Sequence, residues 1–210
     1  MTDEFESERR KMVDDQIRAR GVRDPRVLAA MEKIPRHLFV PENLRAYAYA
    51  DEPLPIGEGQ TISQPFIVAY MTEALGLRGT ERVLEVGTGS GYQSALLAEL
   101  AREVFTIEII ESLSLRAQET LGGLGHRNVR FKLGDGSQGW PEEAPFDAIM
   151  VTAAAGRIPE ALEAQLGPQG LMIVPVGTDA QELCLVRSGK KGLKRERLLP
   201  VRFVPLVKVH

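Results

Sequence analysis

Val83-Leu84-Glu85-Val86-Gly87-Thr88-Gly89-Ser90-Gly91-Tyr92 runs from a short apolar strand into a glycine-rich turn, and a helical pattern continues from Tyr92 to Leu100. Glycines at such a turn let the backbone bend sharply and let a ligand approach it closely. Taken alone the loop is ambiguous, because strand-to-helix turns also use glycine for structural reasons. Its surroundings decide the fold class. From Arg82 onward short β-branched runs alternate with helical patterns. Strands are predicted at residues 82–86, 104–108, 129–133, 146–152, 171–176, 183–187 and 201–206, with crossover helices at 92–100, 111–121 and 158–166. That alternation predicts an α/β, Rossmann-like fold with a mostly parallel seven-stranded sheet covered by helices. The link from Ser188 to Arg197 is too short for a crossover helix, so the last two strands are expected to form an antiparallel edge. Its lysines and arginines read as a solvated turn, or as a patch that steers acidic substrates.

Residues 1–78 do not share this alternation and are expected to form a helical flank and substrate loop, with residues 79–210 as the sheet core of one domain spanning 1–210. Asp24-Pro25 places a capping carboxylate and an N1 proline ahead of a helix over Arg26 to Lys33. Ala50 to Pro65 holds Pro53, Pro55 and Pro65, two glycines, and the polar run Gln60-Thr61-Ile62-Ser63-Gln64. A loop so rich in amides and hydroxyls, running into a helix near Pro65, is a candidate substrate loop. Ser63 has a second reading, as the N-cap of that helix.

A chain of 210 residues suits one core that buries about 70% of the unfolded surface. With 43% apolar and 26% charged residues and a net charge of −3, the composition demands neither nucleic acid nor membrane. Met1 to Arg20 is polar and no later stretch approaches the ~18 apolar residues of a membrane span, so the expected compartment is the cytoplasm. One cysteine, Cys184, excludes an internal disulfide and a thiolate zinc cage, and reads as a buried strand residue. His37, His126 and His210 form no ligand-spaced pattern, so no metal is expected.

The glycine loop and Glu108, 21 residues beyond Gly87 at the end of the second sheet strand, resemble a dinucleotide site in which an acid holds ribose hydroxyls. Two features disfavour that reading. Tyr92 occupies a position where close helix–strand packing asks for a small residue, and Glu85 would add negative charge where a pyrophosphate must sit. S-adenosyl-L-methionine carries a sulfonium and an ammonium in place of phosphate, so an acidic site suits it. Glu108 would hold its ribose, and Asp135 of Gly134-Asp135-Gly136 would accept from its adenine amino group. All three elements lie at the carboxyl ends of predicted parallel strands, where open α/β sheets bind ligands.

Several segments resemble the protein-L-isoaspartate(D-aspartate) O-methyltransferase family across nearly the whole chain. They are Ile34 to Pro41, Pro53 to Gly57, Gln60 to Pro65, Val83 to Gln93, Gly134 to Gly136, Pro145 to Ile149, Val151 to Ala154, Pro175 to Gly177 and Phe203 to Leu206. The segment around Ser63 is the most specific, since the glycine loop is common to many methyltransferases. The resemblance implies methyl transfer from S-adenosyl-L-methionine, leaving S-adenosyl-L-homocysteine, onto the α-carboxylate of L-isoaspartyl residues in damaged proteins. The ester then collapses to a succinimide whose hydrolysis restores some aspartate. It also implies cofactor roles for Glu85, Gly87, Thr88, Gly89, Ser90, Gly91, Glu108, Asp135 and Gly136, a catalytic role for Ser63, and acceptor contacts from Gln60, Thr61 and Ile62. The chain departs from the family in a short carboxyl end, Val207 to His210.

A free α-carboxylate, with an unperturbed pKa near ~3.5, is already the nucleophile at neutral pH. No general base is required, and hydroxyls such as Thr61 and Ser63 would orient the carboxylate without adding charge. Two rivals remain open at this stage: a methyltransferase acting on RNA or a small molecule, against which net acidity counts mildly, and a non-catalytic binding module. Asp147 is read as shaping a strand start and Trp140 as packing, with no chemistry assigned to either.

Overall fold

The computed structural model describes residues 4–207. Helix α1 (Glu6–Lys11) passes into a π-helical turn over Met12–Ile17. Helix α2 (Pro25–Lys33) starts as its sequence dictates: Asp24 accepts the Arg26 amide at 2.8 Å, and Pro25 sits at N1. The substrate loop is more ordered than its prolines suggest. It contains an antiparallel hairpin of β1 (Leu54–Gly57) and β2 (Gln60–Ile62), which buries Leu54, Ile56 and Ile62, and it leads into α3 (Pro65–Ala74).

The sheet core then alternates as expected: β3 (Arg82–Val86), α4 (Tyr92–Leu100), β4 (Glu103–Glu108), α5 (Glu111–Gly123), β5 (Val129–Leu133), β6 (Phe146–Val151), α6 (Glu160–Ala164), β7 (Leu166–Val176), β8 (Gln181–Gly189) and β9 (Gly192–Val201). The seven core strands lie in the order β5-β4-β3-β6-β7-β8-β9, parallel up to β7 and antiparallel from β7 to β9. This is a Rossmann-like arrangement with an antiparallel edge and a helical flank.

Two expectations need correction. Helix 158–166 shrinks to α6, bounded by Pro159 before it and by β7, which starts at Leu166. The last strand is not 201–206. The chain turns at Lys190-Lys191 and pairs Gly189 with Gly192, so β9 occupies Gly192–Val201, most of what read as a solvated turn. Lys194, Arg195, Glu196 and Arg197 lie exposed on this outermost strand, which therefore lacks the apolar alternation that announces a strand. The apolar stretch that follows leaves the sheet edge, and its Pro205 bridges to Ala154.

Because side chains alternate across a strand, β3 feeds two cores. Val83 joins Val104, Ala148 and Met150 in a cluster shared with flank residues Met12, Val27 and Met31. Leu84 and Val86 join Phe105, Ile107, Phe146 and Val151 on the other face. The flank and sheet thus share one apolar interior. Trp140 meets Phe105 edge-on at 5.7 Å, Asp147 accepts the Arg82 amide at 2.8 Å, and Cys184 is buried in β8. Among the described residues no helix is long and apolar enough to cross a membrane. His210 lies outside the described residues.

Candidate active site

A cleft opens over the carboxyl ends of β3, β4 and β6, with an empty volume of about 880 Å³ including its mouth. Gly87, Thr88, Gly89, Ser90, Glu108 and Gly136 line one side, while Gln60, Thr61, Ile62 and Ser63 line another. Residues from both halves of the chain therefore meet in one place. Gly91 shapes the loop without lining the cleft: it holds φ 87°, and a Cβ there would lie 3.1 Å from Ala117 and Leu121 of α5.

Gly87 has φ 97°, and any Cβ on it would overlap the Thr152 hydroxyl, which donates to the Gly87 carbonyl at 2.6 Å. Only glycine gives this turn both its conformation and its room. Glu108, 6% exposed, braces the loop from the end of β4. Its Oε2 accepts the Gly89 amide at 2.8 Å, and its Oε1 accepts the amides of Ile109 and Ile110 at 2.9 and 3.0 Å.

Glu85 behaves differently from its expected role as a charge presented to the ligand. It falls two residues after Val83 on the face covered by α4, is fully buried, and does not line the cleft. Burial pushes its carboxyl up to about 8, against the lowering effect of hydrogen bonds from Ser94 and Thr106, so at neutral pH it is mostly protonated. A hydroxyl relay joins it to the loop: Thr106 donates to Glu85 at 2.7 Å and shares a 2.7 Å hydrogen bond with Thr88. Asp135 is half-buried and does not line the cleft; its Oδ1 accepts the Ser137 amide at 2.8 Å, while the adjoining Gly136 faces the cleft. Tyr92, too large for close helix–strand packing, finds its space under the flank, where it meets Phe39 edge-on at 5.4 Å.

A second groove, lined by Arg20, Phe66, Ile67 and the stretch Leu199–Val204, adjoins the first and shares Thr61, Ser63, Thr152, Phe203 and Val204 with it. Ser63 stands at the junction. It does not cap α3: the N-cap is Gln64, and no side chain caps that end. The capping alternative is thereby corrected, because Pro65 at N1 shifts the helix start one residue past the serine. The Ser63 carbonyl accepts from Arg36 Nη2 at 2.8 Å, a tether that sequence reading missed.

The donor set suits S-adenosyl-L-methionine. Among the described residues that line the first cleft none is Lys, Arg or His, so a pyrophosphate would find no basic side chain among them, whereas Glu108 offers a carboxylate to hydroxyls or cations. Among the described residues no group of three metal-ligating side chains exists.

The model of the protein-L-isoaspartate(D-aspartate) O-methyltransferase family matches residues 7–210. The chain belongs to this family. Among relatives named protein-L-isoaspartate O-methyltransferase, one from Picosynechococcus is 54% identical, covering 94% of this chain and 89% of its own length. One from Anaeromyxobacter is 59% identical, covering 90% of this chain and 92% of its own. A solved protein-L-isoaspartate O-methyltransferase superposes with a TM-score of 0.84 at 30% identity, over 93% of this chain and 65% of its own length. A Plasmodium falciparum structure assigned to the same enzyme, in complex with S-adenosyl-L-homocysteine, also gives 0.84 at 27% identity, over 96% of this chain and 99% of its own.

Proposed function

We propose that this protein methylates the free α-carboxylate of L-isoaspartyl residues in damaged proteins, using S-adenosyl-L-methionine, within one domain spanning residues 1–210. When bound, that cofactor supplies a methyl group activated by its sulfonium. The observation that carries the reading is the placement of Ser63 and Thr61 where the acidic cleft meets the second groove. Glu108 and the Gly87–Gly91 loop hold the donor, with Gly136 on the adjoining wall and Asp135 beside it to accept from the adenine amino group, and Glu85 supports the loop from behind through Thr106 and Thr88. Gln60, Thr61, Ile62 and Ser63 receive the acceptor, and the two hydroxyls orient its carboxylate.

The acceptor carboxylate is anionic well below neutrality, so the chain needs no base to activate it. Its residues contribute alignment, for which positioning supplies up to ~7–11 kcal/mol. Anion and cation neutralise each other along the reaction path, so the apolar walls given by Val68, Met71, Ile107 and Phe203 favour the transition state by keeping water away. The net charge of −3 favours a polypeptide acceptor over RNA. We assign the cytoplasm as its compartment, the lone thiol of Cys184 leaving the fold independent of an oxidising environment.

The test is incubation with methyl-labelled S-adenosyl-L-methionine and two peptides that differ only in carrying isoaspartyl or aspartyl at one position. Base-labile label on the isoaspartyl peptide alone is expected. Label that survives mild alkali, or that prefers RNA, would overturn the proposal.

A further inference from the structure

Arg36 lies far from both grooves in sequence terms and lines neither of them, yet it touches the elements that build both. Its side chain is 0% exposed. Nε donates to the Ala48 carbonyl at 2.7 Å, and Nη2 donates to the Ser63 carbonyl at 2.8 Å. The guanidinium also lies 4.8 Å over the ring of Tyr92, which opens α4 directly after the glycine loop and lines the cofactor cleft. One side chain thus connects the flank, the acceptor segment and the donor loop.

Such a fork is a poor device for adding stability alone. Neither of its hydrogen-bond partners is a carboxylate, and a buried cation carries a large desolvation cost. Burial lowers its pKa only to about 10, so the group stays charged at neutral pH and keeps donating. What the planar fork supplies is a fixed angle between two carbonyls, which a flexible ammonium cannot reproduce. Ser63 follows the buried Ile62 and precedes Gln64, whose Nε2 is itself tied to the Asp51 carbonyl at 2.9 Å. The serine backbone is therefore held on both sides.

We propose that Arg36 is a positioning residue for methyl transfer, which fixes the Ser63 backbone relative to the donor loop and so sets the Ser63 hydroxyl against the acceptor carboxylate. The inference rests on the acceptor role given to Ser63 above. It acts through that residue, so its effect must vanish when the hydroxyl is removed.

The experiment is a double-mutant cycle with Arg36→Lys, Ser63→Ala and the double variant, assayed with isoaspartyl peptide at saturating S-adenosyl-L-methionine. Arg36→Lys alone should lower kcat by about 10- to 100-fold, the scale of an ångström-sized misplacement. Its affinity for S-adenosyl-L-homocysteine should stay within about threefold of wild type, because no hydrogen bond to the donor site is lost. In the Ser63→Ala background the same change should alter kcat by less than about twofold. A merely structural arginine would give losses that multiply, and that result overturns the inference. Wild-type kcat in Arg36→Lys overturns it too. Wild-type kcat in Ser63→Ala instead refutes the acceptor role of Ser63, a failure visible independently of Arg36. Circular dichroism fixes a temperature at which each variant is folded, and Arg36→Gln replaces Arg36→Lys should the latter not fold. If neither folds at any temperature, Arg36 holds the fold and not the acceptor, and the inference is wrong.

Discussion

Glu108 closes on Gly89: one carboxylate oxygen accepts the loop amide at 2.8 Å, while the other accepts the two amides that follow it in the chain. Oε2 thus carries one hydrogen bond from the protein and has a lone pair left for a ligand hydroxyl. Glu108→Ala should weaken S-adenosyl-L-methionine binding by about 1.5–3 kcal/mol, the scale of a hydrogen bond to a charged group. Titration calorimetry reads this directly, and an unchanged dissociation constant would remove Glu108 from the donor site.

Ser63 serves no helix cap. Ser63→Ala is therefore expected to leave the melting temperature nearly unchanged, whereas loss of a true cap would remove about 1 kcal/mol of stability. Turnover should fall substantially, with cofactor affinity retained. Residual activity should keep the wild-type pH profile above pH 6, since the acceptor needs no deprotonation. A folded variant with full turnover would contradict the acceptor assignment.

Glu85 makes stability depend on pH. Its folded-state pKa, raised to about 8 by burial, exceeds its ordinary 4.5, so the folded chain holds a proton that the unfolded chain has released. Its contribution is complete below the unfolded value and is lost as pH rises to about 8, by up to about 1.4 kcal/mol per pH unit. Glu85→Gln, which keeps a neutral acceptor for Ser94 and Thr106, should remove this slope. Denaturant unfolding of both proteins from pH 5 to 9 should show a stability gap that widens towards pH 8 and then levels off. A constant gap would mean that Glu85 is ionised in the fold.

Gly87→Ala faces two penalties: φ 97° strains any side chain, and the new methyl overlaps the Thr152 hydroxyl. A stability loss of about 1–3 kcal/mol is expected, with weaker S-adenosyl-L-homocysteine binding. Thr152→Ala in the same chain should recover part of it by opening space. Thermal melts of the single and double variants decide this, and no recovery would place the strain in the backbone alone.

The parallel core was legible because β-branched runs and helical periods alternate from Arg82, and Glu108 was legible because a strand end must fall near it. Asp24-Pro25 announced α2 through local chemistry alone. Other features depend on contacts that no short window contains. Arg36 reaches Ser63 across 27 residues, and nothing near it marks a tether. Glu85 looked like a charge at the ligand because sequence shows that a carboxylate is present but not that α4 seals it from water. β9 was displaced because an exposed strand needs no apolar alternation, while the apolar stretch after it packs against the cleft.

That last strand has a consequence for the company this protein keeps. β9 is the outermost strand of the main sheet and carries Lys194, Arg195, Glu196 and Arg197 in succession. Arg195 is forked onto Glu163 at 2.9 and 2.8 Å, and Arg197 pairs with Glu182 at 3.2 Å. Aged or damaged polypeptides tend to expose strands in search of a partner, and an open sheet edge would capture them by backbone hydrogen bonding, whatever residues they carried. A rim of exposed charges disfavours that capture. Under the function proposed above, encounters are then left to the groove beside Ser63.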